Sequence, residues 1–248
     1  MSWNFTMGLI SSVSLFLPVV LIIALRLYNF RTFPYLLIYY VIAFTCNIFT
    51  EGYINPGSRV TYYSGITNNL LDAPLVLSFL TYFSTTTSFT RKMRILILLF
   101  LVFDALVVMW GGYNVKAITI ILAPTLVAVL AFCAIFFVRQ TKLAILHQKA
   151  TGKALIVTSL LFAYGCYLII YLIFYIFKTK DVDNTFIIFF FVTTFSSLLM
   201  SAGIIMEKKR IHKLVELKVV RKELSDLYNE PKTMIPFQKS VIDKGQFN

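Results

Sequence analysis

The stretch from residue 64 to 87, SGITNNLLDAPLVLSFLTYFSTTT, decides how the whole chain is read. It is long and apolar enough to cross a bilayer, yet it carries Asn68, Asn69, Asp72 and Pro74. A helix places Asn68, Asn69 and Asp72, spaced i, i+1, i+4, on one flank, with Pro74 following within a turn. A carboxylate in hydrocarbon costs roughly 2.5 kcal/mol or more on insertion scales, so Asp72 must face protein or water and is a functional-site candidate by default.

Composition agrees with a membrane setting. Of 248 residues, 58% are hydrophobic and 14% charged, which lies outside ordinary soluble composition. Apolar runs consume most of residues 7–206 and leave no water-soluble core of domain size. The expected fold is therefore all-α: a polytopic membrane domain over residues 1–206, built as a seven-transmembrane-helix bundle, and a basic amphipathic cytoplasmic tail over residues 207–248. The formal charge of +12 sits in short connections and in the tail, which fits membrane orientation and argues against nucleic acid as a partner. Cys46, Cys133 and Cys166 fall inside apolar runs without pairing spacing and read as small buried hydrophobes. The first residues, MSWNFTMGLISS, lack a basic n-region and a small-residue cleavage site, so the first span is expected to act as a signal-anchor.

Seven apolar runs approach the length of about 20 residues needed to cross hydrocarbon: residues 7–25, 34–51, 64–87, 93–110, 115–138, 154–177 and 184–206. Arg26 and Arg31, then Arg91, Lys92 and Arg94, then Arg139, Lys142, Lys149 and Lys153 occupy alternate connections, and Lys208, Lys209 and Arg210 open the tail. The other connections hold only Arg59, Lys116, and Lys178 with Lys180. This alternation predicts an N-terminus outside and a C-terminus in the cytoplasm, in a multi-pass protein of the inner (plasma) membrane. Pro34 begins the second span at no cost, whereas Pro18, Pro74 and Pro124 lie within spans and free the carbonyls of Ser14, Leu70 and Ile120, where kinks are expected.

Polar groups recur at comparable depth. At about 1.5 Å per residue, Asp72 lies about 12 Å from one end of its span and Asp104 about 16 Å from the opposite end of the next. If these antiparallel helices face each other, the two carboxylates can share a proton or a cation; otherwise Asp104, within LVFDALVV, serves packing through a neighbouring hydroxyl. Tyr40, Asn47 and Glu51 form one stripe on the second span, with Arg59 near enough in sequence to neutralise Glu51. Tyr164, Tyr167, Tyr171 and Tyr175 share one face of the sixth span, and the seventh offers Thr193, Thr194, Ser197 and Ser201. Together these line a polar ligand or proton site open to the outside, or they act as interhelical hydrogen-bonding glue, which looks identical in sequence.

Exclusions narrow the chemistry. The two histidines, His147 and His212, fall outside the spans, so a histidine-based metal centre within the bundle is excluded. No GxGD, GxSxG or nucleotide-binding loop is present, and catalysis is not expected, with an aspartate-based intramembrane enzyme the least favoured reading. The seventh span contains no lysine to hold retinal as a Schiff base, and no cofactor is expected. In the tail, Leu217, Val220, Leu224 and Leu227 alternate at three and four residues, and residues 208–222 carry seven basic side chains against Glu216. Such a segment lies within reach of anionic headgroups, at about 1 kcal/mol per contact, and can dock a cytoplasmic protein partner or simply stop translocation.

The runs LPVVLIIALRLYNFRTFPYLLIYY and TNNLLDAPLVLSFLTYF resemble a group of uncharacterised bacterial seven-helix inner-membrane proteins. The resemblance covers most of the membrane domain and implies the seven-helix fold without an activity to carry over. The sequence thus leads to a sensor or signal-relay protein in contact with the lipid bilayer, with a small-molecule ligand or a proton as its input. A small-solute or proton-coupled transporter or channel is the alternative.

Overall fold

The computed structural model describes residues 3–84, 86–147, 150–173 and 182–229, and among these all regular structure is helical. Seven α-helices follow one another: α1 (Trp3–Ala24), α2 (Phe33–Thr50), α3 (Ser58–Leu80), α4 (Thr87–Gly111), α5 (Val115–His147), α6 (Thr151–Tyr171) and α7 (Val182–Asn229), with a 3-10 turn at Thr81–Phe83 after α3. Tyr175, Lys149, Lys178, Lys180 and everything beyond Asn229 lie outside the described residues. The chain divides into two compact units, Met1–Arg210 and Ile211–Asn248.

Local chemistry sets several boundaries. Pro34 occupies the first turn of α2, where its missing N–H is not needed. The Thr86 hydroxyl accepts from the Phe89 N–H and caps α4. After α1, Leu27 N–H donates to Ile22 O and Arg26 N–H to Ile23 O, the paired bonds of a Schellman cap. Its left-handed residue is Arg26, at φ 53°. Leu27 and Ile22 are both fully buried, so the apolar contact that accompanies this cap offsets the strain of a non-glycine there. Helices α1, α3 and α5 continue through Pro18, Pro74 and Pro124.

Six helices are long and apolar enough to cross a membrane, and α3 is the exception. The expected span at residues 64–87 is displaced: the helix begins at Ser58, taking in Arg59, and ends at Leu80. Its first half is therefore polar, and its apolar half, from Ala73 to Leu80, is largely buried. The reason lies in its position, since α3 packs against α2, α4 and α5. The outer helices carry the lipid-facing surface, with Val13 on α1 63% exposed and Leu98 on α4 61%. On α4 the buried residues are Met93 and Asp104, three turns apart on one face.

Contacts identify the two ends of the first unit. At one end, the Thr32 hydroxyl donates to Phe79 O at 3.3 Å, the Phe30 and Tyr82 rings meet at 6.3 Å, Phe83 meets Phe136 at 5.8 Å, and Gly152 abuts Glu207. The α1–α2 connection, the end of α3, the start of α6 and Glu207 thus gather there, together with Arg26, Arg31 and Lys153. At the other end, the Tyr53 hydroxyl donates to Phe5 O at 3.2 Å beside Glu51.

Helices α6 and α7 cross at backbone contact. A Cβ on Gly152 would stand 2.5 Å from Glu207 N and 2.9 Å from Glu207 Cα, and one on Gly203 would stand 2.9 Å from Ile156 N. Gly152 and Ile156 are one turn apart, as are Gly203 and Glu207, so each glycine receives the other helix. Nearby, the Ser159 hydroxyl donates to Ser196 O at 2.7 Å across the same interface.

In the second unit, Leu217, Val220 and Leu224 on α7 are each about half exposed, and His212 Nδ1 lies 3.0 Å from Glu216 Oε1. The side chain of Leu227, the fourth member of the expected stripe, lies outside the described residues.

The crossing yields a paired prediction. Gly152→Ala and Gly203→Ala should each cost about 1 to 3 kcal/mol, because backbone atoms of the partner helix cannot yield. Gly65→Ala on α3, which meets nothing within 4 Å, should be neutral or stabilising by up to about 1 kcal/mol. Thermal unfolding of the three variants in detergent checks the ordering.

Candidate functional site

A cavity of about 380 Å³ opens beside the polar half of α3. Asn68, Asn69 and Asp72 enter it from α3, Asn47 from α2, Glu51 from the cap of α2, and Tyr167 and Tyr171 from α6. Phe189, Phe190 and Thr193 close it from α7, and Leu122 and Leu126 from α5. The volume falls within the range of small-molecule sites. Its lining includes two carboxylates, three carboxamides and several aromatic rings, and among the described residues no Lys, Arg or His.

Asp72 is anchored from outside the cavity. The Tyr164 hydroxyl donates to Asp72 Oδ1 at 2.7 Å, and Tyr164 is fully buried. The phenol therefore fixes the carboxylate from behind while Asp72 presents itself to the cavity. Around it, Asn69 Nδ2 donates to Gly65 O at 2.9 Å, and Asn47 Nδ2 donates to the Ser12 hydroxyl at 2.7 Å, which in turn donates to Gly8 O at 2.9 Å. The Tyr167 and Thr193 hydroxyls lie 3.3 Å apart, and the Tyr171 hydroxyl donates to Thr119 O at 3.2 Å. Asp72, Asn47, Asn69, Tyr167, Tyr171 and Thr193 are thereby held by neighbours, which is what a preorganised site needs. Glu51 sits against Gly8, whose absent Cβ leaves room for the carboxylate.

The sequence grouping is rearranged in five places. Tyr40 is buried at 4% exposure and does not line the cavity; its neighbour Tyr39 does, with Ala43, Cys46, Asn47 and Thr50. The cavity-facing side of α2 is thus wider than the expected stripe, taking in Tyr39, Ala43, Cys46 and Thr50 on one line beside Asn47 and Glu51. Tyr164 stands behind Asp72 rather than in the wall. Asp104 lies apart from the cavity, buried at 6% exposure with no hydrogen-bond partner for its Oδ1 among the described residues. The carboxylate that shares the cavity with Asp72 is Glu51, not Asp104. Arg59 is exposed and makes no ion pair with Glu51 among the described residues. On α7, Thr193 lines the cavity, whereas Ser197 and Ser201 are buried and Ser201 donates to Ser197 O at 2.8 Å.

A second polar cluster escaped sequence reading. Glu207 is fully buried at the opposite end of the first unit, where it accepts from the Tyr82 hydroxyl and pairs with Arg210. Arg210 Nη2 also donates to the Tyr82 hydroxyl at 3.3 Å, and the Lys153 ammonium stands 4.4 Å from the Tyr82 ring centroid. The available signal was an acidic residue closing an apolar run, with arginine three residues on.

Apolar helices facing outward around a cavity lined by carboxylates and carboxamides define an integral, multi-pass membrane protein. No family model, curated protein or solved structure matches the chain.

The Asp72–Tyr164 bond makes a measurable claim. In a double-mutant cycle of Asp72→Ala and Tyr164→Phe, unfolding in detergent should show a coupling of about 1 to 3 kcal/mol. Additive single-mutant effects would show that the phenol does not hold the carboxylate.

Proposed function

We propose that this protein is a seven-crossing inner-membrane sensor that takes a small ligand or a proton into the cavity at Asp72 and passes the event to the cytoplasmic side through α7. It acts by binding, without catalysis or cofactor. The observation that carries this reading is that the same two helices meet at both ends of the first unit. Asp72 on α3 and Thr193 on α7 face the cavity, and Tyr82, directly after α3, grips Glu207 on α7 at the other end. Asp72 and Tyr82 are about 15 Å apart along the chain's helical rise, and Thr193 and Glu207 about 21 Å. A shift of α7 against α3 that suits an occupant must therefore also load the buried Glu207 joint, since neither helix deforms readily along its axis. Helix α7 also contains the basic segment beyond Arg210, which suits an output that meets anionic lipid or a protein partner.

Orientation follows the basic residues. Arg26, Arg31, Lys153 and Arg210 belong to the Glu207 end, which this reading places in the cytoplasm, with the cavity in the outer half of the bilayer and α3 as the seventh crossing, enclosed by its neighbours. With Cys46, Cys133 and Cys166 replaced, Asn55→Cys should react with an impermeant maleimide on intact cells and Lys222→Cys only after lysis. The reverse pattern would invert the topology and remove the proposed input side.

The relay itself is tested by spin labels at the exposed positions Ser88 and Lys209. Asp72→Asn, which neutralises the cavity carboxylate at nearly constant volume, should shift their distance by on the order of 2 Å. Adding Glu207→Gln should abolish that response. Distance distributions unchanged by Asp72→Asn would show that cavity and joint are uncoupled.

A further inference from the structure

Two carboxylates, Asp72 and Glu51, face the cavity, and among the described residues no basic side chain lines it to balance them. Exposed carboxylates find counterions in water, but Asp72 shares this cavity with Leu122, Leu126 and Ile170, where uncompensated negative charge is costly. The walls also present aromatic faces: the Tyr167 and Phe189 rings stack with centroids 5.6 Å apart, and Tyr39 lines the space nearby. Negative ring faces beside carboxylates favour a cation, and apolar walls favour one with a carbon body. A bare metal ion is poorly served, because among the described residues no three His, Cys, Asp or Glu side chains come together. We infer that the cavity takes a small organic ammonium ion, its charged head paired with Asp72, its carbon body against Tyr167 and Phe189, and Glu51 adding negative charge along the way in. Asn47, Asn68 and Asn69 supply amide oxygens for the remaining N–H donors of a primary amine.

The inference rests on the cavity being a ligand site, and the experiment separates the two. Full-length protein in detergent at neutral pH is titrated calorimetrically with phenethylamine, with 2-phenylethanol and with 3-phenylpropionate, which share a ring and chain but differ in head charge. Phenethylamine should bind saturably and at least tenfold more tightly than the alcohol, and the carboxylate should not bind. Asp72→Asn should reduce phenethylamine affinity at least tenfold while leaving the alcohol within about threefold. If Asp72→Asn does not fold, Phe189→Leu carries the test: loss of the ring face should weaken the amine at least threefold and spare the alcohol. Equal or tighter binding of the alcohol or the carboxylate overturns the cation assignment and leaves the cavity a ligand site. Absence of binding by all three overturns the cation assignment and removes support from the cavity as a site.

Discussion

A helix that carries Asn68, Asn69 and Asp72 survives in hydrocarbon only where other helices close around it, and the rest of this architecture follows from that requirement. Each polar group exposed to lipid would cost several kcal/mol, so the polar half of α3 has to be surrounded. Helix α3 packs against α2, α4 and α5. The Tyr164 phenol on α6 completes the enclosure by giving Asp72 a donor from a fully buried position. Enclosure, however, leaves the carboxylate partnered on one side only. The space that remains on the other side is the cavity.

The same rule operates at the far end of α3 with a different outcome. Glu207 is as deeply buried as any residue in the first unit, but Tyr82 and Arg210 satisfy it within the protein. Aromatic rings pack tightly around this joint: Phe33, Phe79 and Phe83 are all buried and contact Tyr82 or one another. A buried charge with its partners in place holds a structure in one arrangement, since breaking one contact strands the others. One end of α3 is therefore closed by partnered side chains, whereas the other opens on a cavity lined by Asp72 and Glu51.

The backbone crossing of α6 and α7 explains why these two features can be linked. Gly152 and Gly203 bring the helices to contact distance, and Glu207 sits at that crossing, one turn from Gly203. Side chains that interdigitate can be repacked, but backbone in contact with backbone moves as a body. Thr193 and Phe189 at the cavity thus belong to the same helix that is pressed against α6 at the other end.

Much of this was written in local chemistry. Alternating Lys and Arg content, apolar run length and the composition of residues 64–87 determined an all-helical membrane chain and drew attention to Asp72, Asn68, Asn69, Asn47 and Glu51, because hydropathy and charge act residue by residue and need no knowledge of neighbours. Tertiary structure alone decided which polar groups share a space. Asp72 and Asp104 have similar depth in sequence, but depth fixes only the axial coordinate, and the rotation of each helix about its own axis is set by packing. That rotation turned Tyr39 rather than Tyr40 into the cavity, placed Tyr164 behind Asp72, kept Asp104 out of the cavity, and buried Glu207 beneath Tyr82 from 125 residues away in the chain. Helix identity is a local property, whereas the meeting of side chains on different helices depends on how several cylinders fill one volume, and no single segment contains that information.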